Sequence, residues 1–245
     1  MKAIKYIILS FIIACSGCKK GAVCDCFKST GKISTESRNI EGNFTDIYVS
    51  EKINLILTQD STTSLTVESG SNLLPSIITK LENGILYIRD ENKCNWVRKL
   101  DNYTNVYISL PELTHIKYSA TGNIKTTNTF NLENFTIDAW DGSGNVEMSI
   151  NATESHFNFH TGPGSLYLSG SSGVNYLYCN GQGFMHCENL VTGYNYVRNS
   201  GTGDSYIQAD KEIGYTITNV GSIYYTGNAY SVSGENTGRG QIIKL

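Results

Sequence analysis

Trp140–Met148 reads WDGSGNVEM, His160–Leu168 reads HTGPGSLYL, Cys179–Cys187 reads CNGQGFMHC, and Asn199–Ile207 reads NSGTGDSYI. Each is a strand-like run broken by Gly-x-Gly and followed by another strand-like run. Worn copies stand at 118–126 (YSATGNIKT), 217–225 (ITNVGSIYY) and 236–244 (NTGRGQIIK). The second glycines are Gly122, Gly144, Gly164, Gly183, Gly203, Gly221 and Gly240, in steps of 18 to 22 residues. The first glycines, where present, are Gly142, Gly162, Gly181, Gly201 and Gly238. A period near 20 in a strand-rich chain predicts a stacked array of coils. All the turn glycines are expected to take positive φ at tight corners where stacked backbones crowd.

The residues around each corner predict how the copies pack. Two places after the second glycine stand Ile124, Val146, Leu166, Met185, Ser205, Ile223 and Ile242; four places after stand Thr126, Met148, Leu168, Cys187, Ile207, Tyr225 and Lys244. Ile137/Ala139, Phe157/Phe159 and Tyr176/Tyr178 are expected to alternate in the same manner on the other side, facing a shared interior. One copy cannot bury such a face alone, but stacked copies can. The expected fold is therefore all-β, a right-handed parallel β-helix with a coil period of about 20 residues. A propeller would need about twice this period. An antiparallel barrel of hairpins is the other competitor.

Outside the array, the chain divides at the level of composition. Residues 1–14 pair Lys2 and Lys5 with the short apolar run Ile7–Ala14, the pattern of an export signal, too short to span a bilayer. Ile12-Ile13-Ala14-Cys15 resembles a bacterial lipobox, so Cys15 is the expected acylated residue, with Cys18 the alternative. Such an anchor would hold the protein to a membrane without a spanning segment. Residues 15–42 read as a tether and N-terminal segment, 43–113 as an N-terminal β module, and 114–245 as the repetitive module. In 43–113 period-two alternation predicts strands, and 72–80 is the only passable helical turn, with an extended reading preferred. An exported protein with Cys24 and Cys26 in a C-x-C pair is expected to form disulfides, with Cys26 pairing Cys94. Closing that loop would contribute about 4 kcal/mol in the chain-entropy model.

The G-x-G-N-[IV] corners, Gly122-Asn123-Ile124 and Gly142-Ser143-Gly144-Asn145-Val146, carry a resemblance. So do the opening 44–57, the strand at Gly84-Ile85-Leu86 and the Leu110-Pro111-Glu112-Leu113 step before the first corner. In this order, from about 44 to 227, they are similar to the bacterial family described as putative auto-transporter adhesin, head GIN domain. The segments 25–31 and 92–98 resemble those of a Bacteroidetes lipoprotein subset. The resemblance implies two packed right-handed β-helical modules and attachment to the cell envelope, and it brings no catalytic residues.

Composition excludes more than it assigns. A net charge of -3, with 17% charged residues, gives no electrostatic reason to expect a nucleic-acid partner. Gly-x-Gly grips phosphate only in front of a helix N-terminus, and here strand patterns follow every copy. Cys24-x-Cys26 lacks a second ligand pair at metal spacing, so no metal or other cofactor is expected. His115, His156, His160 and His186 are dispersed. His160 falls, on the glycine alignment, in one column with Tyr118, Trp140 and Cys179. Cys179 and Cys187 flank one corner and read either as a disulfide across a coil or as free thiols in core slots. Asp138, Asp141 and Glu147 form the one local acidic cluster and are expected to be solvated surface. Tyr224 and Tyr225 cannot both face inward. The expected function is a non-enzymatic, lipid-anchored envelope protein that presents a β-helical surface to a surface protein or glycan. A carbohydrate-active or carbohydrate-binding β-helix is the alternative.

Overall fold

The computed structural model describes residues 29–93 and 104–245. The signal region 1–14, Cys15, Cys18, Cys24, Cys26 and Cys94 lie outside the described residues, so the Cys26–Cys94 pair and the anchor are not among the features below. The described residues form eighteen strands in one continuous hydrogen-bonded system, with a 3-10 turn at Leu74–Ser76.

The upstream strands are β1 (Ile33–Arg38), β2 (Asp46–Glu51), β3 (Ile53–Gln59), β4 (Ser64–Gly70), β5 (Ile77–Glu82), β6 (Ile85–Asp90) and β7 (Thr104–Leu110). The array begins with β8 (His115–Ala120), β9 (Ile124–Thr126) and β10 (Phe130–Ala139). It continues with three long bent strands, β11 (Val146–Phe159), β12 (Leu166–Cys179) and β13 (Met185–Asn199). Shorter pieces finish it: β14 (Ser205–Gln208), β15 (Glu212–Ile217), β16 (Ile223–Thr226), β17 (Ser231–Asn236) and β18 (Ile242–Lys244).

All array pairings are parallel, making a solenoid of about 6 turns with a period near 20 residues. In β11 the inward residues are Val146, Met148 and Ile150 before a bend, and Ser155, Phe157 and Phe159 after it. The change of parity at the bend keeps both halves of a coil turned to one core, because side chains alternate across a strand. We call the half after each glycine corner the leading face and the half before the next corner the trailing face. Buried polar groups gather at the bend and satisfy one another: Ser155 Oγ donates to Asn175 Oδ1 at 2.9 Å, and Asn175 Nδ2 donates to Asn195 Oδ1 at 3.2 Å.

The coil of β2 and β3 stacks in parallel on β8 and β9, so one ladder runs from the upstream strands into the array. Its other neighbours, also parallel, are β6 and β7. Antiparallel strands close that end: β4 lies on β7, β5 on β6, and β1 on β4. The 72–80 segment is a 3-10 turn running into β5.

The glycine corners form a spine for a reason other than positive φ. Of the turn glycines, Gly162 alone has φ in the left-handed region. What the others share is crowding: a Cβ on Gly183 would overlap the carbonyl oxygen of Gly164, and one on Gly203 that of Gly183. The spine starts at Gly122, whose Cβ would overlap the Ile53 carbonyl of the β2–β3 coil.

Two column assignments change. Tyr118 shares its column with Ala139, Phe159, Cys179, Asn199 and Ile217, and not with Trp140 and His160. The corners after Ala139 and Phe159 hold one residue more than the others, which turns Trp140 and His160 out of the column. Tyr176 and Tyr178 also face outward, while Leu177 and Cys179 are the buried pair in that strand.

Candidate functional site

Parallel strands in register place equivalent positions about 4.8 Å apart along the coil axis, so outward side chains fall into rows. On the leading face one row runs Lys125, Glu147, Tyr167, His186, Tyr206, Tyr224 and Ile243. Its rings stack: Tyr167 on His186 at 4.8 Å, His186 on Tyr206 at 5.1 Å, and Tyr206 on Tyr224 at 5.0 Å between centroids. Ring spacing matches strand spacing, so each ring covers the face of the next. Burial, with help from Asp204, Tyr224 and Glu188, raises the Tyr206 hydroxyl above its ordinary pKa. Tyr224 belongs to this outer row, whereas Tyr225 packs against the core.

The trailing face carries two adjacent rows. One runs Thr136, His156, Tyr176, Tyr196, Gly214 and Ser233; the other runs Asp138, Asn158, Tyr178, Arg198, Thr216 and Glu235. His156 stacks on Tyr176 at 4.5 Å and Tyr176 on Tyr196 at 5.3 Å. There the ring stack stops, because the next rungs are a glycine and a serine. An open groove of about 650 Å3 lies at that point, lined by Tyr196, Arg198, Gly214, Thr216, Ser233 and Glu235 among others. The Arg198 guanidinium sits 5.7 Å from the centre of the Tyr178 ring, a cation–π distance. Tyr196 Oη donates to Glu212 Oε1 at 3.4 Å. Burial and the Glu212 carboxylate both push the Tyr196 hydroxyl pKa up.

Near the long corners the trailing face holds a polar knot. Asp138 accepts hydrogen bonds from His115 Nε2 at 2.9 Å, His160 Nε2 at 3.2 Å and Asn158 Nδ2 at 3.0 Å. Burial works against its ionisation, but the bonds from His160, Asn158 and His115 together outweigh it and hold the carboxyl below its ordinary range. Trp140, half-exposed, stacks on His160 with centroids 3.9 Å apart. Two of the four histidines that are dispersed in sequence thus meet on one carboxylate. The acidic cluster of the sequence does the opposite and separates. Asp141 occupies the corner at φ 56, and Glu147 pairs with Lys125 on the leading face at 3.6 Å.

The sequence profile of the bacterial family described as "Putative auto-transporter adhesin, head GIN domain" matches residues 43–229. The chain belongs to that family. The fold of this head GIN protein recurs in solved structures. A Bacteroides fragilis protein described as a putative adhesin superposes with a TM-score of 0.80 at 23% identity, over 87% of this chain and 97% of its own. A Parabacteroides distasonis protein described as a putative lipid binding protein gives 0.70 at 18% identity, over 89% and 98%. A Parabacteroides merdae protein described as a putative adhesin gives 0.61 at 18%, over 89% and 98%. No curated protein is significantly similar in sequence.

Cys179 and Cys187 of the head GIN protein are free and buried in the core, which decides between the two readings of the pair. Burial raises the Cys179 thiol to about 11 and Cys187 further still. Among the described residues no group of three or more His, Cys, Asp or Glu side chains is placed to hold a metal ion. Among the same residues no helix is long and apolar enough to cross a membrane. The turn glycines are structural. The groove itself is missed by sequence reasoning, since Gly214 becomes a gap only once its register with Tyr196 is known.

Proposed function

We propose that this head GIN protein is a non-enzymatic envelope lipoprotein, anchored through an acylated Cys15 with Cys18 as the alternative, that binds a macromolecular ligand on its trailing face. One observation carries the reading: a run of three stacked outward rings, His156, Tyr176 and Tyr196, stops at a groove bordered by hydrogen-bonding side chains. A rigid solenoid suits such a role, since stacked coils hold an extended surface with little ordering left to do on binding. The description of similar structures as adhesins and a lipid binding protein supports binding over catalysis. A glycosidase would use two carboxylates about 5–10 Å apart; the groove lining offers Glu235.

The test is a binding screen of the purified full-length protein against envelope glycans and purified surface proteins. A ligand whose binding weakens in Arg198→Ala and not in the leading-face variant Tyr206→Ala is expected. Turnover of a glycan, or a ligand indifferent to Arg198, would overturn the reading. Radiolabelled palmitate should enter the wild type and be lost in Cys15→Ala. No label in wild type would sink the anchor, and loss only in Cys18→Ala would move it.

A further inference from the structure

The interruption of the trailing-face row has a definite shape. Rungs repeat about every 4.8 Å, and after Tyr196 the row offers no ring, only Gly214 and the short side chain of Ser233. One face of Tyr196 is covered by Tyr176, the ring leans over Gly214 on the other side, and the residue borders the groove. Nor can another residue replace Gly214 without disturbance, because a Cβ there would lie 2.5 Å from Tyr196 Cδ1. The ring row thus ends at Tyr196, at the edge of the groove.

The surroundings select what stacks there. Arg198, Thr216, Ser233 and Glu235 offer a guanidinium, two hydroxyls and a carboxylate around the gap. A hydrocarbon chain or a phenyl ring would cover those groups without pairing them, which is unfavourable. A hexopyranose meets both demands. Its flat patch of C–H bonds suits the electron-rich face of a phenol, and its hydroxyls radiate in the ring plane toward the polar rim. The carboxylate and guanidinium on that rim are able to bind hydroxyls through charge-assisted hydrogen bonds. We propose that the gap is a carbohydrate site, in which one hexopyranose of a glycan stacks on Tyr196 as the missing rung, its hydroxyls held by Arg198 and Glu235. This rests on the trailing face being the binding surface.

The experiment titrates the purified full-length protein against a panel of defined hexopyranose oligosaccharides, with saturation-transfer NMR on those that bind. Ring C–H protons of one sugar residue should receive the strongest saturation. Tyr196→Ala should weaken binding about ten-fold or more, and Tyr196→Phe, which keeps the ring face, should stay within about three-fold. Gly214→Leu, whose Cβ would push the Tyr196 ring out of place and whose side chain would enter the groove, should weaken binding as much as Tyr196→Ala. Arg198→Gln, a change at an exposed side chain outside the core, should weaken it several-fold in a protein that melts as wild type does. Glycan binding unchanged in Arg198→Gln, or in both Tyr196→Ala and Gly214→Leu, overturns the sugar site. So does the absence of any glycan binding. If a surface protein then binds in an Arg198-dependent manner, the trailing-face reading survives alone; if nothing binds, both fall.

Discussion

From residue 115 onward, coils that follow one another in sequence are also neighbours in space. Between 46 and 110 they are not: the β2–β3 coil lies between β6–β7 on one side and β8–β9 on the other. The two regions share parallel ladders and one core but differ at their corners. Array corners are pressed against a preceding turn, and the second glycine of each stands where a Cβ would overlap a backbone carbonyl of that turn. The upstream coil turns at Glu51, with φ 67, and has the buried Ile53 where Gly122 stands one coil later. Ile53 pairs with Thr104 inside a strand rather than against another corner, so its side chain has room. Glycine is therefore a consequence of stacking corner on corner, and the upstream corner at Ile53, on which the spine rests, escapes it.

The largest expected effect separates crowding from backbone conformation. Gly183→Ala drives a methyl into the Gly164 carbonyl and should cost about 3–5 kcal/mol, at the exceptional end for single substitutions. Gly84→Ala, in the β5–β6 hairpin at φ +79 with open space around it, should cost only about 1 kcal/mol. Urea denaturation of both variants checks the contrast. Equal losses would mean that φ, and not stacking, makes the corner glycines necessary.

Next comes the seam. Leu55 is fully buried, and its backbone pairs with Val106 on one side and Ile124 on the other. Leu55→Ala should cost about 2–4 kcal/mol by leaving a cavity. Because the ladder crosses the seam without a break, hydrogen exchange should accelerate in both β7 and β9. Acceleration confined to one side would show the regions to be energetically separate.

A smaller effect is expected at the antiparallel cap. Arg38 on β1 donates to the carbonyls of Ile77 at 3.0 Å and Leu74 at 3.1 Å, tying the cap to the 3-10 turn. Arg38→Met should cost about 1–2 kcal/mol. Exchange should rise in β5 and remain unchanged in β13, since solenoid coupling runs mainly between neighbours. A uniform rise along the whole array would break the distinction between cap and coils.

What the sequence displayed of this follows from the range of each signal. The coil period and the inward residues two and four places after most corners are local and periodic, so they are legible directly; at the ends of the array Thr126 is half-buried and Lys244 exposed. The column four places before the corner is not legible in that way. One inserted residue beside Trp140 and another beside His160 shift it, and counting from the glycine cannot detect an insertion within the turn. Tyr176 and Tyr178 misled for a related reason: a tyrosine suits either face, and only pairing with His156 and Asn158 fixes its side. The order of the upstream coils depends on contacts across dozens of residues, which no local pattern encodes. The groove needs both kinds of information, since an absent side chain is visible only against the row that it interrupts.

The smallest expected effect lies on the surface of the array, where Asp138 gathers His115, His160 and Asn158. Its folded-state pKa lies below the unfolded value, through hydrogen bonds that outweigh burial. A carboxyl of this kind contributes stability that is complete above the unfolded pKa of about 4 and is lost as pH falls through the folded pKa. The side chain is partly solvated, so the contribution should be no more than about 1 kcal/mol. Denaturation of wild type and Asp138→Asn at pH 6 and pH 3 checks it. The gap between the two should be present at pH 6 and narrow at pH 3, because the wild-type carboxyl then approaches the uncharged state of the amide. A gap at Asp138 that is constant across this range would mean that the knot is held by shape and not by charge.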